Sequence, residues 1–535
     1  MCGDFPLGWI VGESEPERSL VIFSENNQDN QNVRLSAGMY LTVETPGGCV
    51  LGIVEKLISG SRLLPQSVTD PESVGSVISA ITHGELVKES YLKGSVRWLS
   101  YLKTLKNGLI ESPKIPPMPG TDVYLAKQED LENIFGGDEK QGWISIGKLS
   151  SSTMSSNSVE YKINVNKIQR HLAILAVTGG GKSNTVCVLS RKVVDELGGT
   201  VVLFDMHGEY GDLNLKDKGK VVKPSINPAV MEFSELKDLA RFPVNAINQE
   251  RVLRKAWIDT KNELKGGKIN AIKFMDKLKE KLDNCLSDSQ SKKDVKKEKL
   301  DNCLSDSQSK KDVNGVLNKL EDIQDYYGDV LDPNTPMDLK KIIEPGKLTV
   351  FDLSELDEIG ADAVVSHYLR RILQERKLNK RGRNGYPVPL FVVIEEAHVL
   401  IPNNADTLTL YWASRAAREG RKFGVGLILV SQRPKNVNSD VLSQTNNKII
   451  LKMVEPQDIK YVQEASEELS DDLADLLPSL NPGEAIIIGS MAKLPALVKI
   501  QLCESKKLGG DLDLVTEWKN NENSKLNNED VSSIF

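Results

Sequence analysis

The sequence predicts an α/β chain built on a mainly parallel sheet, and three observations carry that expectation. First, from Arg170 onward apolar runs alternate with helical stretches, at 172–177, 200–205, 348–353, 390–395, 426–431, 449–453, 485–488 and 497–502. Runs that are apolar on both faces and separated by helices fit parallel strands covered on two sides. Second, the first run ends in Gly179, Gly180 and Gly181, followed at once by Lys182, Ser183 and helical spacing. Third, the fourth run ends in Glu395 and Glu396, which places two carboxylates at the C-terminal edge of the sheet, where open α/β folds bind ligands.

Bulk properties narrow the function classes. At 535 residues the chain exceeds the size at which one core keeps growing, so roughly two to four domains are expected. A 39% hydrophobic and 27% charged composition is ordinary for a globular protein. The net charge of -7 gives no overall attraction for a polyanion, so any contact with nucleic acid must come from a local basic surface such as a pore lining. Cys2, Cys49, Cys187, Cys285, Cys303 and Cys503 form no CxxC pair and lack nearby histidines. That spacing argues against a zinc site and a disulfide framework, and fits a reducing cytoplasm. No stretch approaches about eighteen uninterrupted apolar residues and no basic leader is visible, so no membrane segment is expected.

Along the chain, residues 1–105 read as short β segments broken by turn residues. Alternation in 39–43 and 49–54, joined by Pro46, Gly47 and Gly48, predicts a hairpin in a small β-barrel. Proline punctuates 111–123, so 106–165 is expected to be a linker followed by a strand pair near 143–146 and 159–165. The α/β core is expected over 166–228 and 346–505, interrupted at 229–345 by a helical insertion rich in Lys, Glu and Leu. Inside it KEKLDNCLSDSQSKKDV occurs twice without change, at 279–295 and 297–313. Solenoid repeats diverge and number three or more, so the pair is expected to be a tandem duplication in a tolerant, poorly ordered surface segment without chemistry. Residues 506–535 are expected to be a C-terminal tail.

The chemistry concentrates at the strand ends. Strand, AVTGGGKS and helix follow the P-loop pattern G-x-x-x-x-G-K-[ST], with Ala176 in place of the first glycine. Glycines cost backbone entropy, so three in a row imply close approach of a ligand to the main chain. The amides of Gly179, Gly180, Gly181 and Lys182 are expected to cradle the phosphates of ATP at a helix N-terminus. Lys182 should reach the β- and γ-phosphates and the Ser183 hydroxyl should bind Mg²⁺. Glu395 is assigned to the Mg²⁺ shell and Glu396 to the attacking water, which points to hydrolysis. Gln432, between Ser431 and Arg433 at another strand tip, is a candidate to sense the γ-phosphate or position water. Asp205 ends a further strand and His207 and Glu209 follow it, where the histidine is expected to be structural. Arg415, Arg418, Arg421 and Lys422 lie near a helix end; they either complement its dipole or supply an arginine to a neighbouring subunit's γ-phosphate. Lys216, Lys218, Lys220 and Lys223 form either a solvated cluster or a channel loop that grips nucleic-acid phosphates without sequence preference.

Taken together, RHLAILAVTGGGKSNTV, LFDMHGEYGD, VVIEEAHVLIP, YWASRAAREGRKFGVGLILVSQRP and GEAIIIGSMAKLPALVKI resemble the HerA family of archaeal hexameric DNA translocases, within the FtsK/HerA group of P-loop ATPases. The resemblance extends over nearly the whole chain. It implies a RecA-like ATPase core in a homo-hexamer that pumps double-stranded DNA through a central channel during end resection and double-strand break repair. It also implies a barrel that docks a NurA-type nuclease, work alongside the Mre-Rad end-processing complex, and no membrane. At the residue level it implies nucleotide contacts from Arg170, Gly179, Gly180, Gly181, Lys182, Ser183, Asn184, Lys499 and Ile500, with Glu396 as catalytic base and Arg421 as the trans arginine. The duplicated segment departs from the family pattern. Two rival readings are a non-motor ATP-dependent switch and a secretion or conjugation ATPase; lack of an apolar span counts against the second.

Overall fold

The computed structural model describes residues 5–24, 34–64, 70–83, 90–137, 142–150, 159–211, 215–240, 242–243, 246–291, 307–328 and 330–503. Six strands close a barrel: β1 (Gly8–Ser14), β2 (Arg18–Phe23), β3 (Tyr40–Thr45), β4 (Gly48–Ser61), β5 (Ser90–Tyr101) and β6 (Asp122–Leu125), in the order β1-β2-β5-β4-β3-β6. Alternating residues such as Ile10, Val21, Leu41, Val43 and Val96 fill the interior, and the buried Trp98 indole donates to Ser19 Oγ at 2.8 Å. The strand that completes the ring, β6, pairs with both β1 and β3 and begins at the end of the proline-punctuated stretch. The barrel therefore draws on residues inside the expected linker. Four residues are too few for alternation to reveal them in sequence.

The second sheet has eleven strands in the order β11-β12-β10-β13-β14-β9-β15-β16-β17-β7-β8. In chain order these are β7 (Trp143–Leu149), β8 (Glu160–Asn164), β9 (Leu172–Leu175), β10 (Thr200–Asp205), β11 (Gly219–Val222), β12 (Leu348–Asp352), β13 (Leu390–Ile394), β14 (Val425–Ser431), β15 (Asn447–Leu451), β16 (Glu484–Ile488) and β17 (Ala496–Ile500). Every pairing from β11 across to β15 is parallel, and every pairing from β15 across to β8 is antiparallel. Strands β9, β10, β14 and β15 are buried along their whole length, as strands covered on both faces must be. Edge strand β11 falls within the lysine-rich stretch. Lys220 lies on it, and its Nζ donates to Glu344 Oε1 at 2.7 Å and to Lys341 O at 3.0 Å. Lys220 is thus committed to the sheet edge rather than to a free gripping loop, because β12 supplies a partner ladder that the local sequence does not announce.

Helices that cover the sheet and build the insertion include α1 (Lys182–Leu197), α2 (Phe233–Ala240), α3 (Ile247–Lys265), α4 (Phe274–Ser291), α5 (Ser307–Tyr327), α6 (Glu358–Lys380) and α7 (Leu408–Phe423). The insertion helices α3 to α5 pack on one another, with Trp257 edge-on to Phe274 at 4.9 Å, and share one apolar cluster with α6. The first copy of the duplicated segment begins on α4, where Leu282 is buried, and the second ends on α5, where Val313 is buried. Residues 292–306 and the expected tail, with residues 504–535, lie outside the described residues.

Cysteine pairing differs from the expectation. Cys187 on α1 and Cys503 just beyond β17 form a disulfide across 316 residues, and Cys49 is disulfide-bonded as well. Spacing could not show this, because only the sheet brings α1 and the end of β17 together. No helix among the described residues is long and apolar enough to cross a membrane.

Candidate nucleotide site

The C-terminal ends of β9, β14, β13 and β10, four neighbours in the sheet, converge on one place. After β9 the chain turns through Gly179 at φ +73° and Gly181 at φ +106°, backbone that an L side chain resists. A Cβ on Gly180 would stand 3.0 Å from both the Ala176 Cβ and the Val177 carbonyl, so Ala176 in the first pattern position is offset by the glycine facing it. Helix α1 then opens at Lys182, and its first-turn amides have no carbonyl partner within the helix. This turn fits a phosphate: bare main-chain donors at the positive end of a sixteen-residue helix, with no side chain over Gly179.

The segment before β16 closes one side of the turn. Gly483 N donates to Gly180 O at 3.0 Å, Ile500 N donates to Gly483 O at 2.9 Å, and Lys499 Nζ donates to Pro482 O at 2.5 Å. Asn184 on α1 donates to Gln501 O and accepts from Cys503 N, at 2.8 Å each. Lys499 and Asn184 therefore stand beside the glycine turn, while Ile500 is buried and meets it only through Gly483.

Across the site, Glu396 is the hub. Its Oε1 accepts from Lys182 Nζ at 3.2 Å and from Gln432 Nε2 at 3.1 Å, and Thr178 Oγ1 donates to Gln432 Oε1 at 2.5 Å. His398 Nδ1 lies 3.1 Å from Glu396 Oε2, and the exposed His207 lies 3.8 Å from Oε1. Glu396 has left-handed backbone, φ 46° and ψ 48°, a conformation that costs about 1–3 kcal/mol in a non-glycine residue and clusters at functional sites. Burial opposes its charge, but His398 and Lys182 outweigh burial and hold its pKa down at about 2. Glu395 is 7% exposed and differs: burial pushes it up to about 7, against the donated Tyr210 hydroxyl and Lys182. Two adjacent carboxylates are driven apart by environment, the ionised one facing the lysine and glutamine. Asp205, at the end of β10, accepts from the backbone N–H groups of His207, Glu209 and Tyr210, and Glu209 accepts the Ser183 hydroxyl proton.

Within one chain the structure brings together Gly179, Gly180, Gly181, Lys182, Ser183, Asn184, Glu395, Glu396, Gln432 and Lys499. It does not bring Arg170 or Arg421 to them. Arg170 precedes β9 and Arg421 lies in the last turn of α7, which leads through Gly424 into β14, so both sit at the N-terminal edge of the strands. His171 ties the two places, with Nε2 2.9 Å from Ala417 O and Nδ1 accepting from Leu427 N at 2.9 Å. The seven residues of β14 put about 20 Å between that edge and the glycine turn. Arg418 is engaged with Ser414 O at 3.1 Å, and Arg415 with Glu419 at 3.2 Å and with the Trp412 ring at 5.4 Å. Arg421 is exposed. Sequence reasoning missed Thr178, Tyr210, His398 and the Pro482–Gly483 turn; of these only the Asn481-Pro482-Gly483 run carries a local signal, that of a tight turn.

A parallel sheet with a glycine turn after one strand, paired acids two strands away and a glutamine just past the tip of the strand between them defines a P-loop ATPase. Residues 144–372 match the family model described as the central domain of helicase HerA. Over 529 residues the chain is 41% identical to the DNA double-strand break repair helicase HerA of Saccharolobus solfataricus, with 97% of each chain covered. It is 40% identical over 535 residues to the protein of that name from Sulfolobus acidocaldarius, covering 98% of this chain and 99% of that one. Among solved structures, VirB4 of Thermoanaerobacter pseudethanolicus aligns with 68% of this chain and 97% of its own, at 16% identity and a TM-score of 0.48. The chain belongs to the HerA family of ATP-driven DNA helicases.

Proposed function

We propose that this chain is an ATP-driven translocase on double-stranded DNA that works in end resection during double-strand break repair, as a cytoplasmic homo-hexamer. In this reading the barrel docks a NurA-type nuclease and the Mre-Rad complex acts on the same ends. Gly179, Gly180, Gly181 and Lys182 hold the phosphates through main-chain donors, and Lys182 adds its charge. Ser183, with a carboxylate of Glu395 or Glu209 nearby, would hold Mg²⁺, which when bound neutralises charge developing on the transferring phosphoryl group. Glu396, ionised at neutral pH, orients a water and takes its proton, while Gln432 keeps that carboxylate aimed. Asn184, Lys499 and Ile500 border the nucleotide.

The observation that carries the proposal is the split of the machinery between two edges of one sheet. Lys182, Glu396 and Gln432 occupy one edge, and Arg170 and Arg421 occupy the other, about 20 Å away. A second copy must supply those arginines if they are to touch the nucleotide, which is the arrangement a ring provides. Loss of the γ-phosphate then releases an intersubunit contact and lets the interface move. That favours a motor over a non-motor switch. Mixing tests it: Lys182→Ala and Arg421→Ala chains, each inactive alone, are expected to regain DNA-stimulated ATP turnover when co-assembled. Some interfaces in the mixture keep both intact groups. Mixed assemblies that form and stay inactive would refute the shared site.

A further inference from the structure

Two carboxylates, Glu395 and Glu209, are candidates to act with the Ser183 hydroxyl, and the structure gives them different partners. Glu395 ends up at the tip of β13, almost fully buried, with Oε1 accepting the hydroxyl proton of Tyr210, itself fully buried. Glu209, exposed on the turn after β10, accepts the hydroxyl proton of Ser183. That turn is held rather than loose. Asp205 Oδ1 accepts from the N–H groups of His207 and Glu209 at 3.2 Å each, its Oδ2 accepts from Tyr210 N at 2.9 Å, and Gly208 takes φ +70°. One buried carboxylate, Asp205, thereby sends Glu209 toward Ser183 and Tyr210 toward Glu395.

We propose that Glu209 is the positioning carboxylate for Ser183 in divalent-cation binding, the place the paired-acid pattern gives to Glu395. The inference rests on the ATPase reading above and deepens it. A serine hydroxyl has one proton and two lone pairs. Donating the proton to Glu209 leaves the oxygen free to face a cation, and the carboxylate adds negative charge at hydrogen-bond distance. Mg²⁺ in phosphate sites takes few protein ligands and keeps several waters, which suits an exposed carboxylate beside a single hydroxyl. Glu395 has one oxygen engaged by Tyr210 and is walled in by the sheet. The partners that orient a metal ligand commonly change metal affinity about 10–100-fold.

The test is Mn²⁺ binding to the full-length chain with ADP present, followed by the EPR signal of free Mn²⁺. Glu209→Gln is expected to weaken Mn²⁺ binding about tenfold or more, and Glu395→Gln by less than about threefold. Mn²⁺ affinity that is unchanged in Glu209→Gln, or that falls as far in Glu395→Gln, overturns the assignment of Glu209. ADP binding by the unaltered chain keeps the two claims apart: its complete absence would sink the ATPase reading itself, whereas the Mn²⁺ comparison addresses Glu209 alone.

Discussion

A methyl group added at Gly179 would meet no atom within 4 Å, so crowding does not explain the glycine there. Its φ of +73° and its place over the open turn do. Gly179→Ala is expected to cost about 1–2 kcal/mol of local strain and to lower ATP affinity at least about tenfold, because the methyl stands where phosphate must approach the amides. Calorimetric titration with ATP checks this; unaltered affinity would show that the turn is only a turn. Glu396 offers a second residue-scale prediction. Glu396→Gln preserves the hydrogen bond from Lys182 but removes the proton acceptor, so ATP binding should persist while turnover falls about 100-fold or more. Normal turnover in that variant would exclude Glu396 as the base.

At the scale of elements, the helical insertion is fastened to the ATPase core by a buried charge cluster between α2 and α6. Arg370 and Glu235 approach to 2.7 Å, and His367 Nδ1 lies 2.9 Å from the other carboxylate oxygen. Burial works against the Glu235 charge, but the His367 and Arg370 contacts prevail and bring its pKa to about 2. The Arg370 guanidinium stays charged at any working pH and so favours the ionised carboxylate throughout. A carboxylate whose folded pKa lies below its unfolded value binds fewer protons when folded. Its stabilisation is complete above about pH 4.3 and is lost as pH falls toward 2. Thermal melts from pH 7 to pH 3 should therefore fall more steeply for the native chain than for Glu235→Gln; parallel curves would mean that the pair adds no pH-dependent stability. The same scale shows where sequence patterns stop. Long apolar strands such as β10 and β14 were legible because burial on both faces leaves an unbroken apolar run. The four-residue strands β6 and β11 were not, since their existence depends on ladders offered by β3 and β12.

Across the whole molecule, the barrel is packed on the core, with Tyr40, Leu51, Ile53 and Leu99 in one apolar cluster with Leu172 and Ile174, and polar contacts fix the junction. Glu55, fully buried on β4, accepts from Arg18 at 2.8 Å and from Ser470 of the core at 2.6 Å. Ser95 donates to Asp472 at 2.9 Å, and Tyr40 donates to Pro495 O at 2.6 Å. The core segment that receives the first two of these contacts, 466–475, leads directly to the Pro482–Gly483 turn that touches Gly180. Glu55→Ala removes the buried carboxylate to which Arg18 and Ser470 donate; Arg18, partly exposed, keeps Asp472 at 3.8 Å, so the chain is expected to lose about 1.5–3 kcal/mol, read as a lower denaturation midpoint. The Cys187–Cys503 bond closes the other side of the core. Cys503→Ser should melt below the native chain in oxidising buffer by an amount equivalent to about 2–5 kcal/mol, and the gap should vanish in reductant. A gap that survives reduction would trace to packing instead of the bond.

The residues themselves determined the parallel core, the glycine turn and the paired acids, because burial on two faces, positive φ and adjacent charge each leave a local mark on sequence. Tertiary structure alone decided which acid meets Ser183, which cysteines pair, and that Arg170 and Arg421 stand across the sheet from Lys182. Those outcomes depend on strand order and strand direction, which bring together residues hundreds of positions apart and separate others whose strands are immediate neighbours.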